Sequence, residues 1–150
     1  MQIGGRASAI LAQKKVSSVW TIDPNATVIA AIRLMDEKNI GALPVVDNGR
    51  LVGIVSERDY TRKVILKERS SQELLVSEIM TKQLLTVAPS DSVTECMRIM
   101  TEKRVRHLPV LEGTDLVGIL SIRDVVHWLI SAQTATIESL ERYVTGDYPA

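Results

Sequence analysis

The order of apolar and polar positions along the chain predicts short strands flanked by amphipathic helices. Two apolar runs, 43–46 and 51–55, have the length of strands and enclose the pair Asn48-Gly49. Both residues of this pair tolerate positive φ, so Asn-Gly between two apolar runs is a strong signal of a tight turn. We therefore predict an antiparallel β-hairpin from residue 43 to residue 55.

Helices are predicted on both sides of this hairpin. Before it, Thr27 is a suitable N-cap, and the apolar residues that follow recur at helical spacing: Val28, Ala31, Ile32 and Met35. After it, Ser56 is expected to cap a helix that extends to about Leu66. A short strand, 19–22, is predicted to come first and to end before Pro24. The predicted order is strand, helix, strand, strand, helix.

The same order of elements occurs a second time, 65 residues later. The positions that recur at this spacing include Pro44 and Pro109, Gly53 and Gly118, and Asp59 and Asp124. In the second copy, Ser92 and Glu95 have the spacing of a capping box, which predicts a helix start there. A duplication explains this in-register recurrence, and two copies of this length predict two small α+β domains that pack face to face.

Three further segments complete the prediction. Residues 67–78 are polar and join the copies, and residues 7–15 are expected to form a short leading helix. The last helix is predicted to continue past Asp124 to about Val144, where Gly146 and Pro149 end it.

Composition and charge exclude several classes of function. The formal net charge is 0 and aromatic residues make up 3%, so neither phosphate neutralisation nor base stacking favours a nucleic-acid partner. The single cysteine, Cys96, is expected in the core, and no residues have metal-ligand spacing. No apolar run approaches the ~20 residues of a membrane span. We also expect no signal peptide, no membrane association and a cytoplasmic location.

The repeated motifs resemble those of the CBS domain family. The matching segments are 40–47 and 53–59 in the first copy, 105–110 and 118–124 in the second, and the entry motif 78–81. The resemblance implies an α+β fold of two tandem CBS domains, each a β-α-β-β-α repeat, packed with pseudo-twofold symmetry. The expected boundaries are 8–67 for the first CBS domain, 76–132 for the second, and 133–150 for a C-terminal helix and tail.

The resemblance also implies a function. Paired CBS domains, or Bateman modules, bind adenosyl compounds between the repeats and regulate an attached or partner protein. We expect a non-enzymatic sensor of energy or metabolite state, with AMP as the favoured ligand and ADP, ATP or NAD(H) as alternatives. Because the pair accounts for nearly the whole chain, the effector is expected on an unknown partner protein. An enzyme and a structural dimer without ligand remain as alternative interpretations.

The Ser-x-x-Asp sequences at 56–59 and 121–124 have two interpretations. The first is structural, because serine and a carboxylate at this spacing cap the start of a helix. The second is ribose binding by Ser56, Asp59, Ser121 and Asp124, since a carboxylate accepts two hydrogen bonds from a diol. The family resemblance favours ribose contact by at least one of the two aspartates.

The resemblance implies two clefts, each built from both repeats. One combines Thr21, Ile40, Gly41 and Ala42, as an adenine pocket, with Ser121 and Asp124. The other combines Thr86, Val105, Arg106 and His107 with Ser56 and Asp59. Arg106 and His107 are predicted to bind phosphate, with added charge from Arg58 and Arg123, because arginine presents a fixed fork of donors. Lys14 and Lys15 could add to this charge, but we interpret them as ordinary surface lysines. Trp20, at the start of the predicted first strand, could pack on a ligand or a partner.

A homodimer is the expected assembly. The outer helices carry more apolar residues than a small monomer leaves exposed, namely Val64, Ile65, Val125, Val126 and Leu129. Trp128 is interpreted as part of the interface, and the tail 131–143 presents Ile137 and Leu140 on one side. The tail is expected either to contact the second subunit or to fold back on its own repeat.

Overall fold

A computed structural model describes residues 4–14 and 19–145 of the chain. It contains six α-helices and four strands within that part of the chain. In chain order they are α1 (Ala7–Gln13), α2 (Val28–Lys38), β1 (Ala42–Asp47), β2 (Arg50–Ser56), α3 (Glu57–Tyr60), α4 (Val76–Ile79), α5 (Val93–Lys103), β3 (His107–Glu112), β4 (Asp115–Ser121) and α6 (Ile122–Thr145). A π-helical turn, Thr61–Ile65, continues α3.

Each repeat contains one antiparallel hairpin. Strand β1 pairs with β2, and β3 pairs with β4, with one register shift at the equivalent place in each pair. The predicted turn is confirmed, since Asn48 and Gly49 have φ values of 49° and 79°. The α+β class and the two-repeat architecture predicted from the sequence are therefore confirmed.

The predicted strand at 19–22 is largely absent. Only Ile22 makes a bridge, in parallel with Val45, and Val87 makes the equivalent bridge with Val110 in the second repeat. The Ile22 amide donates to the Pro44 carbonyl and the Ile22 carbonyl accepts from the Val46 amide. The chain then reaches Pro24, which has no amide hydrogen to extend the pairing.

The helix starts follow the predicted caps, with one difference. Thr27 accepts from the Ala30 amide at 3.3 Å and Ser92 accepts from the Glu95 amide at 3.0 Å. The Glu95 carboxylate does not complete a capping box but accepts from the Arg98 guanidinium. An arginine three residues ahead on the helix competes for that carboxylate, so only half of the predicted box forms.

Two separate apolar cores stabilise the molecule, one in each repeat. The leading helix α1 packs into the second core, because Ala7 and Ile10 are buried there and Leu11 packs against it. Cys96 lies in the same core, as predicted, and burial raises the pKa of its thiol to about 11. The domain boundaries 8–67, 76–132 and 133–150 stay a prediction.

Several residues predicted on the outer helix surface belong to the cores instead. Val64 and Val125 are each 1% exposed, and Leu129 packs against the second core. Trp128 also packs there, and its indole nitrogen donates to the Gly4 carbonyl. These side chains lie on the inner face of their helices, and a role of Trp128 in a dimer interface stays a prediction.

The last helix, α6, extends to Thr145, as the sequence predicts. Gly146 and Pro149, predicted to end it, lie outside the described residues. Within the described part of the chain, no helix is long and apolar enough to span a membrane.

Candidate functional site

Each hairpin delivers a Ser-x-x-Asp sequence to the start of a helix. In the first repeat, the Ser56 amide donates to the Asp59 carboxylate at 2.9 Å and the Asp59 amide donates to Ser56 Oγ at 3.2 Å. In the second, the Ser121 amide donates to the Asp124 carboxylate at 2.8 Å and the Asp124 amide donates to Ser121 Oγ at 3.1 Å. Both aspartates therefore act as helix caps, whatever further role they have.

The first-repeat carboxylate is enclosed by protein groups. Asp59 is 8% exposed. Its Oδ2 accepts from the amide and hydroxyl of Ser56. Its Oδ1 accepts from Thr81 Oγ1 at 3.3 Å and lies 2.9 Å from Lys63 Nζ. Both carboxylate oxygens are thus engaged, so a ligand would have to displace one of these partners.

The second-repeat carboxylate is more open. Asp124 Oδ2 lies 3.0 Å from Lys14 Nζ, which also donates to the Ile119 carbonyl at 2.9 Å. Among the described residues, Asp124 Oδ1 has no hydrogen-bond partner. The interpretation of Lys14 as an ordinary surface lysine is therefore wrong, because α1 docks on the second repeat and carries Lys14 to Asp124. Lys15 lies outside the described residues.

A cleft of about 730 Å³ lies between the two repeats beside Asp124. The residues that line it are Leu11, Lys14, Val19, Trp20, Lys38, Asn39, Ile40, Gly41, Ala42, Glu57, Arg106, His107, Val117, Gly118, Ile119, Ser121, Ile122, Arg123 and Asp124. We call it the large cleft. Its volume is within the range of small-molecule sites, and it combines apolar walls with charged groups.

The large cleft brings together most of the first predicted set. Ile40, Gly41 and Ala42 face Ser121 and Asp124 across it, as expected from the sequence. The predicted Thr21 is exposed and does not line the cleft, whereas its neighbour Trp20 does. Neighbouring side chains of an extended segment point to opposite sides, which explains the exchange of Thr21 for Trp20.

A second cleft, of about 220 Å³, lies beside Asp59. We call it the small cleft. Its lining residues are Gly41, Ile54, Ser56, Glu57, Arg58, Asp59, Thr81, Arg104, Val105, Arg106 and His107. Thr86, which was predicted here, is exposed and lies outside this lining, and Thr81 contacts the carboxylate instead. The two clefts therefore differ more than threefold in volume.

His107 lies between the clefts and lines both. A β-carbon built on Gly41 would lie 3.5 Å from the imidazole, an ordinary contact distance, so the ring lies directly beside Gly41. Burial lowers the pKa of His107. The Asp124 carboxylate opposes this shift, and the charges of Lys14, Arg106 and Arg58 add to it. The imidazole is therefore neutral near pH 7, and an additional anion beside it would raise its pKa.

Positive groups surround the large cleft although the chain has no net charge. Arg106 and Arg123 are exposed side chains on its wall, although Arg106 was predicted only in the cleft beside Asp59, which it also lines; phosphate binding by either residue stays a prediction. Lys38 lies 4.1 Å from the centre of the Trp20 ring at another part of the wall. Lys38 was not expected in the cleft from the sequence, whereas Trp20, within the predicted strand 19–22, was left open as a contact of a ligand or a partner.

Arg58, also predicted to contribute charge, lines the small cleft, where its guanidinium donates to the Arg104 carbonyl at 3.3 Å. Among the described residues, no group of three or more histidine, cysteine, aspartate or glutamate side chains is placed to hold a metal ion.

Comparison with known proteins identifies the two repeats. The family model described as the CBS domain matches residues 14–65 and 76–131. A signal-transduction protein with CBS domains from Burkholderia ambifaria MC40-6 has a solved structure that is 50% identical, with a TM-score of 0.83. The match covers 86% of this chain and 96% of that one.

Two further relatives differ in size and assembly. The mitochondrial CBS domain-containing protein CBSX3 of Arabidopsis thaliana is 40% identical over 81% of this chain, and the match spans 62% of its own length. A hexameric CBS-CP12 protein from bloom-forming cyanobacteria is 32% identical, with a TM-score of 0.75, and the match covers 85% of this chain and 73% of that one. The match thus spans less than two thirds of the Arabidopsis protein.

Proposed function

We propose that this chain, which belongs to the CBS domain family, senses an adenine nucleotide in its large cleft. Proteins of this family are in general regulatory rather than catalytic, and their CBS domains bind adenine nucleotides or similar ligands. AMP is the favoured ligand here. The ligand-bound module is proposed to act without catalysis on a partner protein, and a cytoplasmic location stays a prediction.

The observation that supports this proposal best is the position of Asp124 across the large cleft from Gly41 and Ala42. The carboxylate has one oxygen without a described partner, which leaves it available to a ribose diol. The strand residues opposite are small, which leaves space for a flat base. Arg106 and Arg123 supply positive charge on the same wall for a phosphate.

The small cleft is proposed as a weaker, secondary site. Asp59 is already bound by Lys63 and Thr81, and the cleft volume is about 220 Å³. The large cleft, at about 730 Å³, also has room for a longer ligand. ADP, ATP and NAD(H) therefore remain alternatives to AMP.

Isothermal titration calorimetry tests the proposal. AMP, ADP, ATP and NADH are each titrated into the protein, and AMP is expected to bind with a stoichiometry near one per chain. If none of the four ligands gives heat up to millimolar concentration, the proposed function is wrong. A turnover assay with the ligands that bind separates a sensor from an enzyme.

AMP binding is expected to strengthen as the pH falls from about 7.5 to about 6. The free protein holds the pKa of His107 below its ordinary value of about 6.5, so the ring is neutral. A phosphate beside the ring raises that pKa, and binding then takes up a proton. Because the pKa of His107 is lower in the folded than in the unfolded protein, His107 contributes stability above about pH 6.5. This contribution is lost as the pH falls through the folded-state pKa.

Calorimetry in two buffers with different protonation enthalpies measures this proton uptake. His107→Asn is the matched control, because the protonation of AMP itself is the same for both proteins. The variant is expected to take up fewer protons than the wild type, and adenosine is expected to cause no uptake in either. Equal uptake by variant and wild type with AMP would place the phosphate away from His107.

We also propose a homodimer in which α6 contributes to the interface. Although Val64 and Val125 are buried, the outer helix surface still exposes Ile65 by 54%, Val126 by 46% and Ile130 by 59%. On the later part of α6 the exposed apolar residues are Ile137, Leu140 and Val144. A second copy would cover these side chains.

Truncation after Ser131 is expected to weaken the dimer, because it removes exposed Ile137, Leu140 and Val144. Light scattering at several protein concentrations measures the mass of both forms. The wild type is expected to be a dimer and the truncated form partly monomeric at micromolar concentration. An unchanged dimer would rule out a necessary role for the tail, and a monomeric or hexameric wild type would contradict the proposed assembly.

A further inference from the structure

The Lys14 side chain reaches into the large cleft and pairs with Asp124. Its Nζ lies 3.0 Å from Asp124 Oδ2 and donates to the Ile119 carbonyl at 2.9 Å. The side chain is 30% exposed, so the ammonium lies at the cleft surface rather than in the core. Lys14 also lines an adjoining cleft of about 260 Å³, together with Gln13, Arg123 and others. The ammonium therefore has space on more than one side.

Lys14 does not depend on this ion pair for its position in the fold. It is the C-cap residue of α1, and that helix is anchored by Ala7 and Ile10, which are 0% and 1% exposed in the second core. Leu11 packs so closely on Gly118 that a β-carbon there would lie 2.6 Å from it. The backbone can therefore stay docked while the flexible lysine side chain changes partner.

The first repeat contains a similar lysine–aspartate ion pair, but its lysine stands at a position that is not equivalent to Lys14 in the duplication. Lys63 Nζ lies 2.9 Å from Asp59 and donates to the Ile79 carbonyl at 2.7 Å. The residue that corresponds to Lys14 in the repeat is Ile79, and the one that corresponds to Lys63 is Trp128. Both cleft carboxylates thus carry a lysine, although the two lysines are not related by the duplication.

The two pairs differ in what surrounds the carboxylate. Asp59 also accepts from Thr81 and has both oxygens engaged, so removing the lysine would still leave it bonded. Asp124 keeps one oxygen open to the large cleft, and its lysine lines the same cleft. Only the Lys14 pair is therefore placed to influence ligand choice.

We infer that Lys14 is a specificity-determining residue that makes the large cleft select phosphorylated nucleosides over nucleosides. This inference rests on the proposed function. In the free protein, the ammonium pairs with Oδ2 of the carboxylate whose open Oδ1 is expected to receive the ribose. A nucleoside whose diol takes both oxygens displaces the ammonium and leaves the lysine without an anion. A nucleotide breaks the same pair but offers its phosphate to the ammonium in exchange.

The test compares AMP and adenosine binding to the wild type, Lys14→Met and Lys103→Met. Methionine keeps the apolar stem of lysine and removes the charge. Lys103 is an exposed lysine at the end of α5 that lines none of the three clefts, so its variant controls for net charge. Affinities are measured by titration calorimetry, and folding is checked by thermal melting.

Lys14→Met is expected to bind AMP about tenfold more weakly and adenosine about two- to fivefold more tightly, so the preference for AMP falls by more than about tenfold. Lys103→Met is expected to keep the wild-type preference. An unchanged preference in Lys14→Met, or an equal loss for both ligands, would overturn the inference and assign Lys14 to holding α1. If Lys14→Met does not fold, Lys14→Gln is measured in its place, and an unchanged preference for AMP over adenosine in that variant would likewise overturn the inference.

Failure of the inference is distinguishable from failure of the proposed function. If the wild type does not bind AMP at all, the proposed function is wrong and the inference falls with it. If the wild type binds AMP and Lys14→Met keeps the same preference, only the role of Lys14 is wrong.

Discussion

Replacing Asp124 with alanine is expected to lower the affinity for AMP about 10- to 150-fold. A ribose diol bound to a carboxylate makes charge-assisted hydrogen bonds, and losing them costs roughly 1.5–3 kcal/mol. Asp124 is the carboxylate with an open oxygen on the large cleft. Titration calorimetry of AMP into the wild type and the variant measures the loss directly.

Two control variants separate binding from folding in this experiment. Asp59→Ala removes the equivalent carboxylate, but Asp59 is engaged by Lys63 and Thr81, so AMP affinity is expected to fall less than about threefold. Asp124→Asn keeps a side-chain oxygen that can accept from the Ser121 amide and removes the charge, so it is expected to fold normally and still bind AMP weakly. If Asp124→Ala binds AMP as tightly as the wild type, Asp124 is only a helix cap.

Replacing Arg106 with alanine is expected to lower the affinity for AMP by about tenfold or more and to change adenosine binding less than about twofold. Arg106 is exposed on the wall of both clefts, and its backbone carbonyl is fixed by the Ile122 amide at 2.8 Å. This hydrogen bond fixes the backbone of Arg106 at the cleft wall, from which the side chain is proposed to reach the phosphate. Adenosine lacks the phosphate, so its affinity is expected to change little when the Arg106 guanidinium is removed.

Two further variants define the role of Arg106. Arg106→Lys keeps the charge but not the fork of donors, and its AMP affinity is expected to lie between those of the wild type and the alanine variant. Arg50→Ala removes an arginine at the β1–β2 turn that lines neither cleft, and it is expected to bind AMP normally. Parallel titrations with both ligands measure these effects. An equal loss for AMP and adenosine in Arg106→Ala would place Arg106 in the fold.

The fold was largely predictable because its signals are local. Asn48-Gly49 defines the first hairpin, and Thr27 and Ser92 cap helices through hydrogen bonds to amides three residues ahead. The wrong predictions concern a side chain that has a competing partner and a strand that pairs with residues distant in the sequence. Glu95 had a second partner in Arg98, and the predicted first strand depended on pairing with distant residues.

The candidate site was predictable where the duplication itself carries it. Gly41 and Ala42 do lie opposite Ser121 and Asp124, as expected from the two repeats. The contribution of Lys14 was not predictable, because it depends on α1 docking on the distant second repeat through Ala7 and Ile10, and no local pattern specifies that. The sequence left open whether Trp20 contacts a ligand or a partner for a similar reason, since the side of an extended segment that faces a cleft depends on the packing of the whole pair.

A crystal structure of the AMP complex would show which carboxylate holds the ribose. We expect AMP in the large cleft, with the ribose hydroxyls within hydrogen-bond distance of Asp124 and the base beside Gly41 and Ala42. The phosphate is expected next to Arg106. A nucleotide bound only beside Asp59 in the small cleft, or outside both clefts, would show that Asp124 does not hold the ribose.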